Sequence, residues 1–169
     1  MHDRRLVGMK AALWAEVDRR RDHFVDILAE TIRRPSDNPP GDTTQVAEYL
    51  RSVLAGAGLS VEVLAPQPHM PNLVSRYVGA AEGRHLILNG HLDQFPVEDP
   101  SAWSVAPYGG EVRDGRIYGR GASDMKGGTV ALAAAMILLA ELRVPLKGRV
   151  TGTFVSDEET GGRWGTAWP

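Results

Sequence analysis

The longest apolar segment of this sequence is Val130–Ala140, eleven residues without a polar or charged side chain. A helix that crosses a bilayer needs about 20 such residues, so we expect a buried helix of a globular protein instead. The helix is predicted from about Lys126 to Leu142, and Pro145 ends it. Because it is apolar on nearly all sides, the rest of the chain must enclose it.

Helical and strand-like segments alternate around this buried helix. Residues 10–34 form one predicted helix, and a second starts at Asp42, whose carboxylate can cap it with Gln45 three residues further on. The strand signals are residues 60–64, 72–78, 85–88 and 149–155, and a hairpin signal covers 109–118 with Asp114-Gly115 as its turn. Leu86–Leu88 is continuously apolar, which is typical of a strand buried on both faces. The alternation predicts an α/β sheet with helices packed on it.

Composition excludes several classes of function. The 169 residues carry 19 Lys and Arg against 21 Asp and Glu, so a net charge of −2 excludes a polycation built for nucleic acid. The chain contains no Cys, which excludes disulfides, thiolate zinc ligands and a Cys nucleophile. Its length is that of about one domain. The first residues, Met1–Arg5, lack the apolar core of a signal peptide, so we expect a cytoplasmic location.

Three polar clusters lie where an α/β sheet binds its ligands. In open α/β sheets, that place is beyond the carboxyl ends of the strands. The clusters are Gly90–Asp93 after the third strand, Gly119–Gly128 before the buried helix, and Ser156–Gly162 after the last strand. Together they offer one imidazole and several carboxylates, which are ligands for zinc or a similar divalent ion.

Each cluster also has a purely structural explanation. His91 and Asp93 share one side of an extended chain, where the carboxylate could orient a metal-binding imidazole, but they could also be a solvated His and a loop Asp. Asp124 could bind metal or cap the helix that follows it. Residues 157–159 could form a solvated acidic face, although a cation would relieve like charges crowded beyond a buried strand.

Other catalytic signatures are absent or incomplete. Gly119-x-Gly121 resembles a phosphate-binding loop, but Asp124 stands where the dinucleotide fingerprint needs its third glycine. The sequence has no Walker pattern, no His-Glu-x-x-His and no Gly-x-Ser-x-Gly. A nucleotide-binding module and a serine hydrolase are therefore distant alternatives.

The order and spacing of the clusters match a known family. The matching motifs are Gly90-His91-Leu92-Asp93-x-x-Pro96, Gly119-Arg120-Gly121-x-x-Asp124-Met125-Lys126-Gly127-Gly128 and Asp157-Glu158-Glu159, preceded by Pro35-Ser36-x-Asn38-Pro39-Pro40-Gly41. They closely resemble the dinuclear zinc peptidase and deacylase family, which includes acetylornithine deacetylase, succinyl-diaminopimelate desuccinylase, aminoacylase and glutamate carboxypeptidase. The resemblance covers essentially the whole chain. It implies an α/β catalytic domain of the zinc-exopeptidase type, a three-layer sheet with flanking helices.

The resemblance also implies roles for five residues. His91 would bind one zinc ion, Asp124 would bridge two zinc ions, and Glu159 would bind the second. Glu158 would be the general base on a metal-bridging water, and Asp93 would hold His91 from behind. The family further implies a cis peptide bond after Asp124. Cobalt or manganese are alternatives to zinc.

The implied ligand set is incomplete in this chain. A catalytic zinc takes about three protein ligands, and the chain supplies two to each ion. No His follows His91, whereas the family completes its site with an acidic residue and a His further along. Residues 1–169 are therefore expected to be an N-terminal portion of the catalytic domain, without the inserted lid and dimerisation domain and without the C-terminal part.

The predicted function is metal-dependent hydrolysis of an amide bond by the complete protein. Its substrate would be a small N-acyl amino acid or a short peptide, so deacylase and exopeptidase action both stay open. The alternative is a non-catalytic, truncated remnant that folds and binds metal weakly at most. No nucleic-acid or membrane partner is expected, and the complete protein is expected to be a homodimer.

Overall fold

The computed structural model describes residues 2–168, with side chains from Val7 onward. The signal-peptide expectation rests on Met1–Arg5, whose side chains lie outside this described part. The helices are α1 His2–Arg19, α2 Arg21–Ile32, α3 Thr44–Gly56 and α4 Gly127–Glu141. The strands are β1 Val61–Leu64, β2 Asn72–Val78, β3 Ala81–His91, β4 Glu111–Arg113, β5 Arg116–Tyr118 and β6 Lys147–Val155.

The N-terminal helical region is divided at Arg20. One continuous helix over residues 10–34 is a wrong prediction, because Arg20 leaves helical geometry (φ −103°, ψ 11°) between α1 and α2. The Arg20 guanidinium lies 3.1 Å from the Glu16 carboxylate and forms a second ion pair with Glu141 at the end of α4. The apolar spacing resumes after the break, so the sequence pattern does not reveal it.

One local prediction is confirmed in part and another in full. Helix α3 begins at Thr44 and not at Asp42, but Asp42 Oδ1 accepts a hydrogen bond from the Thr44 N–H at 2.9 Å at the start of the helix. Strands β4 and β5 form the predicted antiparallel hairpin. Its turn residues Asp114 and Gly115 have φ values of 53° and 72°, and a two-residue hairpin turn of type I′ needs positive φ at both positions.

The main sheet has the strand order β1-β2-β6-β3. Strand β6 is antiparallel to β2 and parallel to β3, and α4, which connects β3 to β6, packs on both of them. The parallel pairing sets His91 at the carboxyl end of β3 beside Val155 at the carboxyl end of β6. The predicted α/β fold, a sheet flanked by helices, is confirmed.

Strand β3 is not buried on both faces, as its apolar run predicts. It is an edge strand of the sheet, and Leu86 and Ile87 are 53% and 58% exposed. A continuous apolar run is typical of a central strand, but the run itself does not say where in the sheet the strand lies. The edge position follows from the pairing with β6 alone.

The core lies between the sheet and helices α2, α3 and α4. Its side chains form one cluster, whose fully buried members include Leu50, Leu54, Leu73, Met136 and Phe154. Helix α4 contributes much of this cluster, as its sequence predicts. The helical stretch Ala122–Glu141 is long and apolar enough to cross a membrane by length and composition alone, a test that core helices also pass, and 44% of its apolar part is buried in the fold.

We expect Leu50→Ala to lower the free energy of unfolding by about 2–5 kcal/mol, because the substitution leaves a cavity in the core. The same substitution at Leu86 is expected to cost about 1 kcal/mol or less, since this side chain is half exposed at the sheet edge. Urea unfolding of the two variants measures both values. An equal cost at the two positions would contradict the edge placement of β3.

Candidate metal centre

The predicted polar clusters meet at the carboxyl ends of β3 and β6. His91 ends β3, and its neighbour Val155 ends β6 and leads into the acidic residues 157–159. The loop before α4 reaches the same edge, where His91 Nε2 lies 3.1 Å from Asp124 Oδ1. The fold therefore brings together residues that are up to 68 positions apart in the chain, from His91 to Glu159.

Three side chains form a cluster of potential metal ligands. One ligand atom each from His91, Asp124 and Glu159 lies within 4.8 Å of the other two. His91 is buried, whereas the Asp124 side chain is 79% exposed. The cluster therefore rests on a buried imidazole and opens toward solvent on its carboxylate side.

Backbone geometry presents Asp124 to this cluster. Asp124 has extended dihedrals (φ −123°, ψ 104°), Met125 also departs from helical geometry, and the Asp124–Met125 peptide bond is cis, as the family resemblance implies. Helix α4 starts only at Gly127 and has no side-chain cap, so the alternative that Asp124 caps it is wrong. Gly121 begins the turn with φ 75°, and a Cβ there would lie 2.7 Å from Gln94 Oε1.

Asp93 lies directly behind His91 and is fully buried. The His91 Nδ1–H donates to the Asp93 carbonyl oxygen at 2.9 Å, and Asp93 Oδ1 lies 3.4 Å from the same nitrogen. This leaves Nε2 as the nitrogen that faces Asp124. The Asp93 carboxylate also accepts hydrogen bonds from the backbone N–H groups of Glu158 (3.2 Å) and Glu159 (3.0 Å). One buried carboxylate thus contacts both sides of the cluster.

The raised pKa values of His91 and Glu159 indicate that negative charge is concentrated at this site. Burial acts to lower the pKa of His91, but hydrogen bonds to Asp93 and Asp124 outweigh it and raise the pKa to about 9. Burial raises the pKa of the Glu159 carboxyl, and the charge of Asp124 raises it further. Burial also acts to raise the pKa of Asp93, yet its hydrogen bonds from His91 and the backbone lower it overall. Such crowding of negative charge favours a bound cation.

The three adjacent acidic residues lie in three different environments. Asp157, with a positive φ of 73°, turns its carboxylate inward, where it accepts hydrogen bonds from the Thr160 hydroxyl and from the Trp164 N–H (3.0 Å). Glu158 is 56% exposed, with Oε2 3.7 Å from His91 Nε2. Glu159 points to the cluster. A solvated acidic face therefore does not describe this segment, because Asp157 is buried.

Asn38 is a residue of the site to which the sequence assigns no role. It is buried, and its side-chain amide nitrogen lies 2.9 Å from Asp93 Oδ2 and 3.2 Å from Asp157 Oδ1. Its partners are 55 and 119 positions away, so no local spacing could reveal the contact. The sequence signal that points to Asn38 is its position within the Pro35–Gly41 motif, which resembles the family.

A cleft of about 370 Å³ opens beside the cluster. Its lining includes Asp124 and Glu159 together with Phe95, Trp103 and Arg120. The Arg120 guanidinium lies over the Trp103 ring, 5.2 Å from its centre. A cleft of this size, with apolar rings and a few charged groups, suits a small molecule.

The donor set fits a divalent metal ion. Zinc takes imidazole nitrogen and carboxylate oxygen at about 2.0–2.2 Å, and the spacing of the three donors lets them share such ions. Cobalt and manganese accept the same donors. His91 would supply the nitrogen ligand, and Asp124 and Glu159 would supply oxygen ligands.

Comparison with known families agrees with this site. Residues 87–168 match the model of peptidase family M20/M25/M40, a span that contains all the acidic and imidazole groups of the cluster. This part of the chain is similar to that family. The resemblance predicted from the sequence is thereby confirmed.

Two curated relatives match most of the chain. An N-formyl-4-amino-5-aminomethyl-2-methylpyrimidine deformylase of Halalkalibacterium halodurans is 32% identical over 88% of this chain and 36% of the relative. A succinyl-diaminopimelate desuccinylase of Cereibacter sphaeroides is 36% identical over 80% of this chain and 34% of the relative. The chain thus spans about a third of the length of the curated relatives it matches.

Solved structures show the same fold. The crystal structure of an M20 family metallo-carboxypeptidase from Sulfolobus solfataricus superposes with a TM-score of 0.74 at 28% identity, over 82% of this chain and 32% of that chain. Human carnosine dipeptidase 1 superposes with a TM-score of 0.76 over 91% of this chain and 36% of that chain. At 22% identity, the second comparison concerns the fold alone.

We expect the chain to bind Zn²⁺ at this cluster. His91→Ala and Glu159→Gln should each weaken binding by more than about tenfold, since even the loss of a residue that only supports a ligand costs about 10–100-fold. Competition with a chromophoric chelator measures the affinity. His69→Ala is the matched control, because this His is 75% exposed and lies outside the cluster. An equal loss in the control would place binding at exposed histidines instead.

Proposed function

We propose that the complete protein uses bound metal ions to hydrolyse an amide bond in an N-acyl amino acid or a short peptide. The observation that carries this proposal is the convergence of His91, Asp124 and Glu159 beside an open cleft. The match of residues 87–168 to the M20/M25/M40 peptidase family model supports the reaction class. So do relatives named as a desuccinylase, a deformylase and a metallo-carboxypeptidase.

We further propose that two ions share the cluster. In this arrangement His91 and Asp124 hold one ion, and Asp124 and Glu159 hold the other, with zinc as the expected metal. A catalytic zinc takes about three protein ligands, so each ion needs one more. We therefore propose that residues 1–169 are an N-terminal portion of the catalytic domain, and that the missing ligands come from other segments of the complete protein.

In the proposed reaction, Asp93 orients His91 and Glu158 transfers the proton. When bound, the ions would polarise the amide carbonyl and lower the pKa of a water molecule toward ~7. Asp93 holds the His91 ring by Nδ1 and thereby keeps Nε2 directed at Asp124. Glu158, exposed at the rim of the cluster, takes a proton from the attacking water. It then gives this proton to the amide nitrogen as the carbon–nitrogen bond breaks.

The lining of the cleft suits a small, amide-containing substrate. Phe95 and Trp103 offer apolar surface, and Arg120 offers a positive charge for an anionic group of the substrate. Both an N-acyl amino acid and the end of a short peptide carry such a group. Assays of N-acetyl amino acids, N-succinyl amino acids and dipeptides would separate deacylase from exopeptidase action.

The general-base role of Glu158 has a direct test in the full-length protein. Glu158→Gln should lower kcat by about 10²–10⁴-fold, because it removes proton transfer, and should leave metal content and affinity unchanged. Glu62→Gln, on β1 and away from the cluster, is the matched control and should retain full activity. Near-normal turnover by Glu158→Gln would disprove the assignment.

The non-catalytic alternative has its own outcome in the same assays. A full-length protein that retains no tightly bound metal and turns over none of these substrates would be a remnant of an enzyme. Metal content by mass spectrometry, measured on the same sample as activity, distinguishes an active enzyme from such a remnant. The cytoplasmic location and the homodimer stay predictions.

A further inference from the structure

We propose that Asn38 is a positioning residue of the metal centre, which holds Asp93 in the orientation that aligns His91, Glu158 and Glu159. This inference rests on the proposed metal-binding function. Asn38 touches none of the three predicted ligands itself. It acts through Asp93, which it contacts at 2.9 Å.

The side-chain amide of Asn38 joins two buried carboxylates. Its nitrogen lies 2.9 Å from Asp93 Oδ2, 3.2 Å from Asp157 Oδ1 and 3.1 Å from the Thr160 hydroxyl. Asn38, Asp93 and Asp157 are 2%, 0% and 3% exposed, so water does not screen the repulsion between the two acids. An amide nitrogen has two hydrogens, and it can therefore donate to both carboxylates at once without adding charge.

Asn38 is itself held rigidly relative to Asp93. Its backbone N–H donates to the Gln94 carbonyl oxygen at 2.9 Å, and the Gln94 N–H donates to the Ser36 carbonyl oxygen at 3.1 Å. The Ser36 hydroxyl donates to the Leu92 carbonyl oxygen at 2.7 Å. These bonds lay residues 36–38 along residues 92–94, so the amide has a fixed place from which to orient the carboxylate.

Asp93 in turn contacts the residues of the cluster through its carboxylate oxygens. The oxygen that accepts from Asn38, Oδ2, also accepts from the Glu159 N–H, and Oδ1 accepts from the Glu158 N–H. Oδ1 also lies 3.4 Å from His91 Nδ1. A rotation of this carboxylate would therefore weaken the hydrogen bonds from the backbone of both glutamates and move Oδ1 relative to the imidazole, which also stays bonded to the Asp93 carbonyl oxygen. Outer partners of this kind are worth about 10–100-fold in metal affinity.

The test compares Asn38→Leu with Asn72→Leu in the full-length protein. Asn72 is a matched control because it is also buried, at 4% exposed, and its side chain also makes two hydrogen bonds, with the Trp164 carbonyl oxygen and the Ser156 N–H (both 2.8 Å). It does not contact Asp93. Both variants lose buried hydrogen bonds, so both should unfold at a lower temperature.

Only Asn38→Leu is expected to change the metal centre. Its Zn²⁺ affinity should fall about 10–100-fold, and the visible absorption spectrum of bound Co²⁺, which reports ligand geometry, should shift. Asn72→Leu should keep both the affinity and the spectrum of the wild type. Asn38→Ser, a smaller change that keeps one donor, should show an intermediate loss of affinity and serves if Asn38→Leu does not fold.

Three results would overturn the inference. Wild-type affinity and spectrum in Asn38→Leu or Asn38→Ser would show that the amide does not position the ligands. Equal losses in the Asn38 and Asn72 variants would show a general loss of stability instead. A wild-type full-length protein that binds neither Zn²⁺ nor Co²⁺ would refute the proposed metal centre and this inference with it, whereas the first two results would refute the inference alone.

Discussion

The candidate site depends on the parallel pairing of β3 with β6. Parallel neighbours end at the same edge of a sheet, so the residues that follow them meet there. In this chain the pairing sets His91 beside Val155 and brings the acidic loop to the imidazole. Helix α4, which lies between the two strands in sequence, starts at that edge and carries Asp124 to it in the preceding loop. A different partner for β3 would separate the ligands.

Asp93 is a buried carboxylate that binds no metal in our proposal, yet it makes several hydrogen bonds within the site. Asp93 accepts hydrogen bonds from a side chain on one loop and from two backbone groups on another, and it contacts the His91 ring. Each bond offsets part of the cost of burying the carboxylate. Among the described residues, the exposed carboxylate of Asp124, a proposed ligand, contacts the His91 ring, and the backbone at Asp124 is extended within its turn.

Local patterns predicted much of the fold, and long-range contacts explain what they missed. The Asp114-Gly115 turn and the buried helix α4 follow from residue types within a few positions. Arg20, where the helix breaks, forms an ion pair with Glu141, 121 positions away, and no local window of sequence contains both residues. The candidate ligands could be named because the motifs resemble a family. The contact of Asn38 with Asp93 could not, because it exists only after the strands have paired.

The exposed run on β3 bears on how this chain behaves on its own. Within residues 2–168, the outer edge of β3 pairs with no other strand, and Leu86 and Ile87 are exposed beside it. Unpaired backbone groups next to apolar side chains form a template to which a further strand adds. At high concentration the isolated chain should therefore self-associate along this edge, and its solubility should depend on two side chains far from the chemistry.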